Sequence, residues 1–168
     1  MDTFNFESLN LKKVKKAIDI GCGNGRHLKS LGFRLKKAEI FGVDQLEHEI
    51  HKLNNEFDTH VCKNGNSYSF SVQDIRAISF EDNSFDMVIC SEVLEHVPNF
   101  EKVIKECYRI LKPGGVITAQ VGCQSKKPKQ VNNWLKVLSN NFGNSKLDEV
   151  VIPSFDCRWN FASSIMNS

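Results

Sequence analysis

Three glycines at alternate positions give the first chemical signal. Residues 17–28 read A-I-D-I-G-C-G-N-G-R-H-L, so Gly21, Gly23 and Gly25 follow an apolar run. Glycine tolerates positive φ and lacks the Cβ that would hold a ligand off the backbone. A helix beginning near Gly25 turns its unpaired N–H groups into the same space. Dinucleotide-binding turns use G-x-G-x-x-G, but here Arg26 stands where their third glycine would fall. Asp19 precedes the turn by two residues, where a carboxylate repels a pyrophosphate and suits a ligand carrying an ammonium group. Asp44 lies about twenty residues on, where an acid accepts bonds from ribose hydroxyls. Asp74 can accept from an exocyclic adenine amine, with Ile75 offering a backbone N–H and an apolar face. Blander roles compete: Asp44 as a strand-end acid, Asp74 as a helix N-cap, and Cys22 as a small residue that fits a tight turn. The set favours an amino-acid-bearing nucleoside over NAD.

Strands must end where these groups stand. Apolar runs at 17–20, 39–43, 68–72, 85–90 and 116–121 read as strands, and 27–37, 46–57 and 103–111 carry helical spacing. Pro113-Gly114-Gly115 stops the last of these helices. The alternation predicts a parallel sheet covered on both faces. The tail differs. Residues 132–142 read as a helix, and 147–152 and 158–165 as two strands whose short connection predicts an antiparallel hairpin. One domain over 1–168 follows: a lead at 1–16, a ligand-binding core at 17–121 and a tail at 122–168.

Composition narrows the class. The 168 residues are 40% hydrophobic and 25% charged, with a net charge of +2, too small to argue for nucleic acid or membrane. No run approaches the roughly 20 apolar residues of a membrane span, and the first ten lack the order of a signal peptide. The six cysteines form no C-x-x-C pair, which predicts reduced thiols, no metal site and a cytoplasmic location.

Four segments resemble the class I S-adenosylmethionine-dependent methyltransferases, in particular the small-molecule type of ubiquinone and menaquinone biosynthesis. They are D-I-G-C-G-N-G at 19–25, F-G-V-D at 41–44, D-I-R-A-I-S-F-E-D-N-S-F-D at 74–86 and S-E-V-L-E-H-V at 91–97, with L-K-P-G-G at 111–115 extending the match. The resemblance implies an α/β Rossmann-like, doubly wound sheet of seven strands. It is mostly parallel with a C-terminal antiparallel hairpin, and has helices on both faces. It implies S-adenosylmethionine as cofactor, with Asp19, Gly21, Cys22, Gly23 and Gly25 around the methionine part. Asp44 and Gln45 would take the ribose, Asp74 the adenine, Leu46 and Ile75 the apolar walls, and Ser91 the border of the methyl group. His96 is the candidate general base, with a structural role in the loop before Pro98 favoured.

Family members usually carry a longer N-terminal cover or an insertion after the fifth strand. Here those places hold only residues 1–16 and a short polar segment, 122–133, with Lys126, Lys127 and Lys129 on the acceptor side. The expected acceptor is a small molecule, with RNA as an alternative met by the basic rim. A partner subunit or dimer that completes the acceptor side is a further expectation, and a catalytically idle cofactor-binding subunit is the rival reading.

Overall fold

Along β1 (Lys16–Ile20) successive side chains leave opposite faces of the strand, and both faces are buried. Ala17 joins the cluster formed with Leu28, Leu31, Leu35, Ile50 and Leu53. Ile18 and Ile20 join the other, with Val103, Ile104, Cys107 and Ile110. The computed structural model describes residues 9, 11–58, 63–120 and 147–151. After β1 come α1 (Arg26–Arg34), β2 (Glu39–Asp44), α2 (Glu47–Asp58), β3 (Ser67–Val72), β4 (Phe85–Ser91), α3 (Phe100–Ile110), β5 (Leu111–Gln120) and β6 (Leu147–Val151). They build a six-stranded sheet in the order β3-β2-β1-β4-β5-β6, every neighbouring pair parallel. A parallel sheet needs cover on both faces. The cluster containing α1 and α2 supplies one cover, and the cluster containing α3 the other.

The element order carries the chain from β1 outward to β2 and β3, then back across to β4 on the far side of β1. That reversal makes a crevice at the carboxyl ends of β1 and β4, where open α/β sheets bind ligands. The return crossing at 73–84 is built from turns rather than a helix. Phe80 and Phe85 pack edge-on at 5.0 Å between ring centroids, each also 5.4 Å from Phe41. Burying one such ring contributes about 1.5–3 kcal/mol.

Three element ends differ from the sequence expectation by three residues or more, one of them the start of α3, at Phe100 rather than Val103. α1 stops at Arg34, because Leu35 turns extended (φ −87°, ψ 154°) and Lys37 takes φ 50°. Its orphan carbonyls are satisfied from outside the helix. Asn66 Nδ2 donates to the carbonyls of Gly32 (3.1 Å) and Leu35 (3.0 Å), and Asn64 Nδ2 donates to Gly32. β5 begins at Leu111 rather than Val116. Leu111 pairs with Phe85 and Val116 with Met87, so the residues between them bulge out of the ladder. Proline and glycine there end the helix and also kink the new strand. β6 covers most of the first run of the expected hairpin and lies parallel to β5. The second run at 158–165, the helix at 132–142 and Lys126, Lys127 and Lys129 fall outside the described residues.

Candidate active site

The glycine turn is fixed by the strand beside it. The N–H groups of Gly21 and Cys22 both donate to the carbonyl of Val43, at 2.8 and 3.1 Å, and that of Gly25 donates to Cys22 O at 2.9 Å. All three glycines hold positive φ: 71°, 46° and 75°. The three are not all needed for the same reason. A Cβ on Gly21 would run into the Val93 side chain, and one on Gly25 would meet Leu53 Cδ2 at 2.5 Å. A Cβ on Gly23 would meet nothing within 4 Å. Packing therefore explains Gly21 and Gly25, while Gly23 opens its backbone to free space. Gly25 is the N-cap of α1, and Asn24 Oδ1 accepts from the Arg26 N–H at 3.3 Å.

Asp44 ties the turn to the end of β2. Its Oδ2 accepts from Gly23 N and its Oδ1 from Leu46 N, both at 2.9 Å. An ionised carboxylate has about four lone-pair sites, so one stays available on each oxygen, the pattern that a vicinal diol can fill. Asp19 is 1% exposed, and its Oδ2 has no hydrogen-bond partner. Burial pushes its carboxyl well above the ordinary range, Arg26 pulls it back and Asp44 pushes it further up. A buried carboxylate oxygen left unpaired is costly. A cationic group bound at the turn would complete it. Cys22 is buried too, and burial followed by the charges of Asp19 and Asp44 raises its thiol. It stays protonated, as suits a packing residue rather than a nucleophile.

The remaining expected site residues lie on neighbouring strand ends. Gln45 is exposed, and Leu46, 47% exposed, presents an apolar surface. Asp74 is exposed just past β3, and Ile75 is buried in the α3-side cluster. Ser91 is the last residue of β4 and is buried. His96 is exposed on the following turn, its N–H donating to Val93 O at 3.0 Å. Several contacts escaped the sequence reading. Val93 lies against Gly21, Glu92 takes φ 56° and pairs with Arg26 at 3.3 Å, and Arg76 grips Asp74. Only the last had a local signal, the D-x-R spacing at a turn. Among the described residues no cluster of three His, Cys, Asp or Glu side chains could hold a metal. None of their helices is long and apolar enough to cross a membrane.

The family described as a methyltransferase domain matches residues 18–119, the span that contains the whole turn and all four strand ends. The chain belongs to that family. Among curated relatives, a ubiquinone biosynthesis O-methyltransferase from Coxiella burnetii is 35% identical over 103 residues, which is 61% of this chain and 42% of that protein. A sterol 24-C-methyltransferase from Aspergillus fumigatus is 33% identical over 110 residues, 64% of this chain and 28% of its own length. This methyltransferase domain thus spans less than half the length of either relative. A SAM-dependent methyltransferase from Methanosarcina mazei superposes with a TM-score of 0.60 at 27% identity, over 68% of this chain and 56% of that one.

Proposed function

We propose that this domain binds S-adenosylmethionine at the crevice between β1 and β4 and directs its methyl group to an O, N or C nucleophile of a small acceptor. The observation that carries this reading is Asp19, a buried acid with an unpartnered oxygen beside a glycine turn. A sulfonium amino acid brings the ammonium group that such an oxygen lacks, where a pyrophosphate would be repelled. Asp44 keeps one acceptor site on each oxygen for the ribose hydroxyls, and Gly23 leaves its backbone open to the methionine part. Gly21, Cys22 and Gly25 shape the turn. Asp74, Ile75, Gln45 and Leu46 serve the nucleoside, and Ser91 borders the reacting centre.

Bound there, S-adenosylmethionine supplies an electrophilic methyl with S-adenosylhomocysteine as the leaving product. The chain contributes alignment and exclusion of water, and orientation of this kind removes about 7–11 kcal/mol of barrier. A nucleophile that must lose a proton would find His96 exposed on the turn that follows β4, as a candidate general base. A relative named for O-methyl transfer matches over 61% of this chain and one named for C-methyl transfer over 64%. The shared core accounts for the donor site, and the acceptor is read elsewhere.

Titration calorimetry with S-adenosylhomocysteine tests the reading. The wild type binds it and does not bind NAD, and Asp44→Ala weakens binding about 10- to 100-fold, as loss of charge-assisted hydrogen bonds does. NAD binding without S-adenosylhomocysteine binding, or an unchanged affinity in a folded Asp44→Ala protein, would overturn it.

A further inference from the structure

The carboxylate of Asp74 is held more tightly than its exposed position demands. Arg76 donates Nε to Oδ1 and Nη2 to Oδ2, each at 2.9 Å, and its backbone N–H donates to Oδ1, also at 2.9 Å. Of the carboxylate's roughly four lone-pair sites, both on Oδ1 are filled and one on Oδ2 is filled. A single acceptor site remains, on Oδ2. Asp44 differs, keeping one site on each oxygen. A guanidinium is a planar fork, so it fixes the plane of the carboxylate as well as balancing its charge. The two side chains are 36% and 49% exposed, and an ion pair in such surroundings adds little to folding.

We propose that Arg76 is a positioning residue: it aims the one free acceptor of Asp74 at the 6-amino edge of the bound purine and thereby sets the preference for adenine over a 6-oxo purine. The proposal rests on the S-adenosylmethionine reading above. A 6-amino group donates to the free Oδ2 site. A 6-oxo group sets an acceptor against an acceptor and leaves both unpaired, the arrangement that polar sites reject most strongly. Hydrogen bonds from Arg76 hold the Asp74 carboxyl down at about 2, with Lys102 of α3 adding a weaker pull. The group therefore stays ionised, and stays an acceptor, across the working pH range.

Calorimetry with S-adenosylhomocysteine and S-inosylhomocysteine, on the wild type, Arg76→Ala and Arg76→Lys, reads the effect as a ratio. The wild type prefers the adenosyl ligand by about 100-fold or more. Arg76→Ala loses about tenfold for the adenosyl ligand and stays within about twofold for the inosyl one, so discrimination collapses. Arg76→Lys, which restores charge without the fork, recovers only part of the ratio. Equal losses for both ligands would make Arg76 a merely structural residue. Tighter adenosyl binding in Arg76→Ala would make it a competitor for Asp74. Either result overturns the proposal. Failure of the wild type to bind either ligand would overturn the cofactor reading itself, and the wild-type titration alone decides that.

Discussion

At the amino ends of β1 and β4, Asp86 accepts from the N–H groups of Lys15 and Lys16, both at 2.9 Å, and from Lys112 Nζ at 2.7 Å. At the carboxyl end of β1, Asp19 is almost wholly buried with an oxygen that accepts no hydrogen bond. Both carboxylates belong to the same pair of neighbouring strands. One is surrounded by donors of its own chain and clamps β1 and β5 to β4. The other is desolvated without compensation, which folding alone does not favour. On the proposed function, the difference separates a carboxylate that stabilises the fold from one kept in reserve for a ligand. The two ends of the sheet divide the labour in the same way.

Exchanging the two acids is the strongest way to break that contrast. Asp19→Asn keeps the side chain's shape and removes its charge. It should weaken S-adenosylhomocysteine about 50-fold in calorimetry, the size of one charge-assisted bond, with no loss of urea midpoint. Asp86→Ala should do the reverse. Two backbone N–H groups and Lys112 lose their acceptor, so unfolding free energy drops by about 2 kcal/mol while affinity in the folded protein holds. A large loss of stability in Asp19→Asn would show that the buried acid is structural after all.

The same acids should pull stability in opposite directions with pH. Burial pushes Asp86 upward, but the bonds from Lys112, Lys15 and Lys16 outweigh it and hold the carboxyl below its ordinary range. Its folded pKa is depressed, so its contribution is present above the unfolded value of about 4 and is lost as pH falls through the folded value. Asp19 is raised, by burial first. Above about pH 4 the unfolded chain releases that proton while the folded one keeps it. Stability therefore declines with rising pH until the folded group ionises, by at most about 1.4 kcal/mol per pH unit for one proton. Urea titrations across pH 3–8 should find the acid limb flattened in Asp86→Ala and the upper decline flattened in Asp19→Asn.

Much of the carboxyl end was legible because its signals are local. An apolar run, alternating glycines and an acid at each strand end are read within a few residues, and the structure puts Asp19, Asp44 and the turn together through Val43 and Gly23. The amino end was opaque for the opposite reason. Asp86 meets Lys15 across 71 positions of sequence, and nothing near either residue announces the other. The bulge that starts β5 early is likewise set by pairing with Phe85, not by the L-K-P-G-G string, which locally spells only the end of a helix. Val93 beneath Gly21 is a third non-local contact. The Asp74–Arg76 pair is local, two residues apart, but a D-x-R spacing alone does not say whether the guanidinium turns back onto the acid.

The glycines repeat the contrast on a smaller scale, inside one turn. Gly21 at φ 71° backs onto Val93, so Gly21→Ala combines left-handed strain with overpacking and should cost about 2 kcal/mol of stability. Gly23 at φ 46° faces open space, so Gly23→Ala bears the strain alone, about 1 kcal/mol. On the proposed function, its methyl would instead stand where the methionine part of the ligand approaches the backbone. Thermal unfolding should therefore rank Gly21→Ala as the less stable protein. Calorimetry on the folded fraction should rank Gly23→Ala as the weaker binder, by about tenfold. If both variants lost affinity only in proportion to their loss of fold, the open backbone at Gly23 would be a feature of the turn and not a place for the ligand.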